Sequence, residues 1–319
     1  QKATPRVGLA ILISLFFGLT IGLIAVLVKE FFDNTIKSIE EIENRGLSLL
    51  AIIPNLNLDS KKKRARKNKN AENETVKNLE RRLILHEDPK SPIAEAYRGL
   101  RTSISLGRVN HSSSPDQGIS LLVTSSGPGE GKSTTAMNLA ITYANLGKKV
   151  IIVDGDLRKP VVHKVFNLEK SVGITSYMAG NNDDKIEKYI NKSDVTENLF
   201  VLCAGPVPPN PSEILGSEKM KNMINELKNK FDVVIIDTPP LIAVTDAFII
   251  GTYVKQFLLV IRSGVTHKGA LDRSIKNLQY NGVKISGCIL NAASEATSYG
   301  GGYYYDYYQY YYGTDENRT

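Results

Sequence analysis

The sequence predicts an α/β fold, a mostly parallel sheet flanked by helices. Three observations carry this expectation. After residue 118, short apolar runs rich in β-branched residues alternate with helical segments, the pattern of strands covered on both faces by crossover helices. One strand–helix junction holds Ser126-Gly-Pro-Gly-Glu-Gly-Lys-Ser-Thr134, a glycine-rich turn of the kind that cradles phosphate. Two further apolar runs end in aspartate, and the sites of such sheets lie at strand C-termini.

Residues 7–28 form an uncharged run between Arg6 and Lys29. At ~1.5 Å rise per residue it is long enough for one transmembrane helix, which leaves residues 1–6 as a periplasmic stub. Gly18 and Gly22 have the spacing that permits close helix approach. Lys29, Lys37 and the later basic run assign the C-terminal side to the cytoplasm, where ATP and a reducing pool are found. Residues 29–88 read as a juxtamembrane segment and basic linker. It holds the stretch FFDNTIKSIEEIE, a break near Gly46, an apolar run ending at Pro54 and a charged tether. Residues 61–69 carry seven positive charges and no negative one; beside a bilayer they contact anionic lipid or form a solvated face. Lipid, rather than nucleic acid, is the expected partner.

The domain proper is expected over 89–295. Ser91 suits the N-cap and Pro92 the first position of a helix over 91–106. Glu95, Arg98 and Arg101 recur every third residue and share one side of it. Strands follow at 119–123, 150–153, 200–203, 233–236, 257–261 and 285–290, with helices at 134–146, 217–228 and 268–280. Cys203 and Cys288 sit in apolar runs and read as buried free thiols; no Cys/His spacing suggests zinc.

The glycine-rich turn makes the fold P-loop NTPase-like. Gly127, Gly129 and Gly131 let backbone N–H groups close around a polyphosphate, with Pro128 and Glu130 between them and Thr134 after. Lys132 reaches the β/γ-phosphates and the Ser133 hydroxyl ligates Mg²⁺. The strict pattern asks for Gly at 126, where this chain has Ser, but the Gly-Lys-Ser core remains. The second strand ends in IIVDGDLR, so Asp154 and Asp156 bracket Gly155 ahead of Arg158. Carboxylates this close repel unless a cation joins them, and Mg²⁺ held with ATP is that cation. VVIID places Asp237 as a further metal partner beside Ser133 and Asp156. ATP and Mg²⁺ are therefore the expected cofactors. Gly127 stands where MinD/ParA-type ATPases carry a second lysine, and no Asn-Lys-x-Asp motif specifies guanine.

Residues 296–319 read as a flexible tail. Nine of the 15 tyrosines fall there, at Tyr299, Tyr303, Tyr304, Tyr305, Tyr307, Tyr308, Tyr310, Tyr311 and Tyr312. A cluster of phenols beside an ATP site is a natural phosphoacceptor, each phosphate adding about −1.5 to −2 charge. Alternatives are a low-complexity tail or a strand that pairs with another chain.

Taken together, the phosphate loop without the extra lysine, DGDLR, VVIIDTPP and the tyrosine cluster resemble the bacterial tyrosine kinases (BY-kinases). The membrane run, FFDNTIKSIEEIE and AIIP resemble the C-terminal membrane segment of a Wzz-type polysaccharide co-polymerase. This resemblance implies the fused form, with a periplasmic domain and another membrane helix upstream, at the inner membrane with its kinase domain in the cytoplasm. It implies a homo-oligomeric ring in which one subunit's tail enters its neighbour's site, with Glu95, Arg98 and Arg101 as the oligomerisation motif. It also implies a cognate protein tyrosine phosphatase and control of polysaccharide polymerisation and export machinery. In that setting Lys132, Asp154, Asp156 and Asp237 are the catalytic residues, Asp154 orienting or deprotonating the phenol. The alternative function is a P-loop ATPase or scaffold whose nucleotide state drives membrane assembly, with the tail as a docking segment.

Overall fold

The computed structural model describes residues 7–55, 83–109, 118–181 and 184–293. The basic run at 61–69, residues 1–6 and the tyrosine tail lie outside the described residues. Helix α1 spans Val7–Phe31, ending three residues beyond the expected 28. Within its stretch Ile11–Phe31, a window of 18 residues has a mean hydropathy of 2.8 and is not buried by protein. Such a helix is long and apolar enough to cross a bilayer, and its intrahelical bonds satisfy the backbone there.

A short helix, α2 (Ile39–Glu43), follows, N-capped by the Ser38 side chain, which accepts the Glu41 amide. Strand β1 (Leu49–Pro54) comes next, then α3 (Ile84–Glu87) and α4 (Pro92–Val109). The Ser91 hydroxyl accepts the Ala94 amide at 3.2 Å, so α4 starts with the expected cap. The central part runs β2 (Ile119–Ser125), α5 (Lys132–Ala144) and β3 (Val150–Asp154). It continues through α6 (Val162–Val165), α7 (Ile174–Ala179), β4 (Asn191–Lys192), β5 (Leu199–Leu202), α8 (Pro211–Leu215) and α9 (Glu218–Lys230). The last part is β6 (Val233–Asp237), α10 (Asp246–Gly251), β7 (Gln256–Arg262), α11 (Lys268–Tyr280) and β8 (Gly287–Ala293).

The eight strands make one sheet in the order β1-β8-β7-β2-β6-β3-β5-β4. All pairs are parallel except β4–β5. Side chains alternate between the two faces, as strand geometry requires. On β2, Leu121 and Val123 pack with Tyr97, Leu100, Met137 and Ile141 of α4 and α5. Leu122 goes to the opposite face, with Met223 and Leu227 of α9 and Leu271 and Leu278 of α11. Both layers are thus filled from one strand.

Strand β1 lies upstream of residue 89, where the domain proper is expected to begin. Strand β1 pairs with β8 from Leu49↔Cys288 to Pro54↔Ala293, so part of the 29–88 segment belongs to the sheet. Its apolar, β-branched run favours a strand, and Pro54, which has no N–H to donate, suits the end of an edge strand. Upstream of it, Ile36 and Ile42 are fully buried in the core, and Arg45 pairs with Asp272 of α11 at 2.6 Å.

Gly173, ahead of α7, sits against the end of β5. A Cβ there would run into the Cys203 carbonyl oxygen and lie 2.5 Å from the Gly205 amide nitrogen. Gly173→Ala is expected to destabilise by about 2 kcal/mol, because backbone on both sides must move. Urea unfolding measures it; an unchanged midpoint would show that the two segments separate easily.

Candidate active site

Three strand ends converge. Across β2, β6 and β3, Val123 is in register with Asp237 and Asp237 with Asp154. Gly155 permits this closeness: its amide donates to the Asp237 carbonyl at 2.8 Å, and a Cβ would lie 2.8 Å from the same oxygen. The loop after β2 turns through Gly129 (φ 75°) and Gly131 (φ 98°), both in the left-handed region that favours glycine. Helix α5 then starts at Lys132, two residues before the expected 134. Its first-turn amides have no intrahelical acceptor and suit an anion.

The Lys132 ammonium lies 3.2 Å from Ser133 Oγ, 3.4 Å from Asp156 Oδ2 and 3.6 Å from Asp237 Oδ1. Burial opposes its charge, but the Asp237, Asp156 and Asp154 carboxylates outweigh burial and raise its pKa. Asp237 is fully buried; burial raises its pKa, while Lys132 and the Ser133 hydroxyl pull the other way. Asp156 Oδ1 accepts the Lys159 amide at 2.9 Å, which fixes the carboxylate with Oδ2 toward Lys132.

Asp154 is fully buried too. Its Oδ2 accepts the Val161 and Val162 amides at 3.1 and 3.0 Å, at the start of α6. Burial first, and the Asp237 charge second, push its pKa up to about 8. Arg158 is drawn away from these acids. Its guanidinium bonds both oxygens of buried Asp246, at 2.8 and 3.2 Å, and the Ser212 hydroxyl at 2.9 Å, so it acts as a strut between the β3 loop, α8 and α10.

The residues present fit a magnesium nucleotide. Both oxygens of Asp237 and Oδ1 of Asp154 are buried without a hydrogen bond, Asp237 having the Lys132 ammonium 3.6 Å away, and such oxygens suit a bound cation. Among the described residues no group of three or more His, Cys, Asp or Glu forms a metal cage. Mg²⁺ commonly takes one or two carboxylates, substrate phosphates and water instead. Ser133, Asp156 and Asp237 are the residues that would hold it.

Glu95, Arg98 and Arg101 lie on α4, on the flank of the domain. Arg98 pairs with Glu95 at 2.7 Å and with the Pro89 carbonyl at 2.6 Å. Arg101 donates to the Thr142 carbonyl in the last turn of α5, at 2.9 Å, a place that favours a cation. Within the loop, Pro128 and Gly129 are exposed, whereas Glu130 turns its side chain inward.

Three residues absent from the sequence reading hold the loop from behind. The Arg262 guanidinium donates to the Gly129 carbonyl at 2.8 Å, and Asn291 Nδ2 donates to the Glu130 carbonyl at 2.9 Å. Thr266 hydrogen-bonds the Glu130 side chain. The only available signal was their position at or just after the ends of β7 and β8. The juxtamembrane segment covers this corner, the Ile36 amide donating to the Thr266 carbonyl at 2.8 Å and the Gly264 amide to the Ile36 carbonyl at 2.9 Å.

Comparison with known proteins agrees with this geometry. Residues 121–262 match a family described as an AAA domain. The tyrosine-protein kinase YwqD of Bacillus subtilis is 40 % identical over 241 residues, covering 75 % of this chain and 94 % of that one. A putative tyrosine-protein kinase in the cps region of Klebsiella pneumoniae is 34 % identical over 298 residues, 91 % of this chain. The chain spans 39 % of that longer relative. Among solved structures, the kinase domain of Escherichia coli tyrosine kinase ETK superposes with a TM-score of 0.69 at 30 % identity, over 82 % of this chain and 97 % of that one. The chimerical protein CapA2B2 superposes with a TM-score of 0.66 at 34 % identity, over 80 % and 98 %. With its phosphate loop and strand-end acids arranged as above, and this extent of similarity, the chain belongs to the bacterial tyrosine-protein kinases.

Proposed function

We propose that the chain is an ATP-dependent protein tyrosine autokinase that works between subunits of a membrane-anchored ring. The observation that carries this reading is the gathering of Lys132, Asp154, Asp156 and Asp237 beside one phosphate loop, in a chain 40 % identical over 241 residues to a tyrosine-protein kinase. Bound Mg²⁺–ATP supplies the phosphoryl group and neutralises charge on its oxygens. Lys132 and the first-turn amides of α5 would bind the phosphates; Ser133, Asp156 and Asp237 would hold the metal. Asp154 orients the phenol or accepts its proton. Burial and the Asp237 charge raise its carboxyl above the ordinary range, and a bound Mg²⁺ beside it would favour the ionised form that a base needs. The remaining catalysis is positioning and charge stabilisation.

The acceptors are Tyr299 to Tyr312 of a neighbouring tail. Glu95, Arg98 and Arg101 form the subunit contact, Arg98 and Arg101 exchanging part of their present partners for the neighbour. As tails gain charge, their mutual repulsion opens the ring and a phosphatase closes it again. That cycle regulates the machinery that polymerises and exports capsule or exopolysaccharide, with helix α1 in the inner membrane and the 61–69 run against its anionic lipid.

Mixing separates transfer between chains from transfer within one. An active chain lacking 296–319 is incubated with full-length Lys132→Met chain and Mg²⁺–ATP, and phosphotyrosine is detected by size. Signal on the Lys132→Met chain is expected. A signal that appears only when the active chain keeps its own tail would overturn transfer between subunits. ATP hydrolysis without phosphotyrosine in any mixture would favour the assembly ATPase.

A further inference from the structure

Glu130 stands apart from the loop it belongs to. It is 3 % exposed, and its carboxylate lies beneath the loop, on the side away from the solvent-exposed Pro128 and Gly129. One oxygen accepts the Ser126 amide at 3.0 Å. The Thr266 side chain hydrogen-bonds the same carboxylate. The Thr266 hydroxyl is itself oriented, since its oxygen accepts the Arg262 amide at 2.8 Å; its single proton is then directed to Glu130. Gly127 packs on the carboxylate, a Cβ there falling 3.1 Å from Oε1.

A negative charge inside a loop that binds polyphosphate is electrostatically adverse. Burial adds to the cost, pushing its pKa up to about 7. What the carboxylate does locally is divide the loop's amides. That of Ser126 is turned inward and satisfied, whereas those of Lys132 and Ser133, at the start of α5, keep facing the phosphate site. The main chain between the two sets is tied at Gly129 and Glu130 by Arg262 and Asn291. Without an inward acceptor, the Ser126 amide and the Thr266 hydroxyl are buried donors seeking another partner.

We propose that Glu130 is a positioning residue for the nucleotide: its carboxylate, braced by Thr266, presets the phosphate loop in its binding shape. This rests on the nucleotide-binding reading of the loop. Glu130 touches the loop's own backbone, so its effect reaches the nucleotide through the amides it arranges.

The test is titration of the full chain with fluorescent ADP and Mg²⁺, in the parent, Glu130→Ala, Glu130→Gln, Thr266→Val and the Glu130→Ala/Thr266→Val double variant. Thermal unfolding without nucleotide is read beside it, as are KM for ATP and kcat. Glu130→Ala is expected to weaken ADP binding about tenfold, the scale of one lost buried hydrogen bond to a charged group. Its KM for ATP rises by more than its kcat falls. Glu130→Gln, which keeps the shape and one acceptor oxygen, recovers part of the affinity. The double variant binds no worse than Glu130→Ala, since both changes remove one brace. ADP binding within about twofold of the parent in Glu130→Ala, or multiplicative losses in the double variant, would overturn the proposal. If Glu130→Ala does not fold, Glu130→Gln and Thr266→Val decide by the same affinity criterion. A parent that does not bind Mg²⁺–ADP would sink the nucleotide reading itself, and this one with it.

Discussion

Lys132→Met abolishes most phosphotransfer, with an expected loss of about a hundred- to a thousandfold, the cost of removing one preorganised charge from a transferring group. Methionine keeps the length and apolar stem of lysine and loses only the ammonium. That ammonium lies within 3.6 Å of both Asp156 and Asp237, so it serves the acids as well as the phosphates. Among the described residues no other ion pair reaches Asp156 or Asp237, so without it a bound metal would have to oppose their mutual repulsion alone. Phosphotyrosine detected after incubation with Mg²⁺–ATP measures the effect, and thermal unfolding checks that the variant is folded. A Lys132→Met chain within about tenfold of the parent would mean that phosphoryl transfer does not use this loop.

Asp154→Asn is expected to change activity and stability in opposite directions. Loss of a general base typically lowers rate about a hundred- to ten-thousandfold, and an amide cannot take the phenol proton. Stability moves the other way with pH. The Asp154 carboxyl goes from an ordinary 3.8 to about 8 in the fold, chiefly because it is buried and secondly because Asp237 is near. The folded chain therefore binds more protons than the unfolded one between those values. The stability tied to this proton is complete below about pH 4 and is lost as pH rises through about 8. Asn does not titrate, and its oxygen still accepts the Val161 and Val162 amides. The melting temperature of Asp154→Asn should thus gain on the parent as pH is raised from 5 to 8 in metal-free buffer. A difference that stays flat with pH would show that the carboxyl is not displaced; undiminished phosphotransfer would remove Asp154 from the chemistry.

The extent of what could be read from the chain differs by kind of residue. The apolar runs at 119–123, 150–153, 233–236 and 257–261 all became strands because a sheet covered on both faces demands continuous β-branched residues. The apolar run at 285–290 begins two residues before β8, which starts at Gly287, where glycine rather than an apolar side chain meets Leu50 of β1. The apolar run ending at Pro54 was visible, but its membership of the sheet was not. A run of six residues can finish a linker or edge a sheet equally well, and only its partner β8 decides between them.

The loop and its acids could be read from sequence because each is local. A strand, a glycine turn, Lys132 and Ser133 follow within a few residues, and Asp154 and Asp237 end strands whose parallel order puts them side by side. From sequence alone came the parallel α/β class, the phosphate loop and the acids at the strand ends. Tertiary structure alone decided how that loop is held. Asn291 meets Glu130 across 161 residues of chain, and Arg262 meets Gly129 across 133. It likewise decided that Glu130 faces inward, that Arg158 braces Asp246, and that Ile36 covers the Thr266 corner. Local pattern reports backbone propensity and burial, whereas a side chain's hydrogen-bond partner depends on which distant strand ends the fold sets beside it.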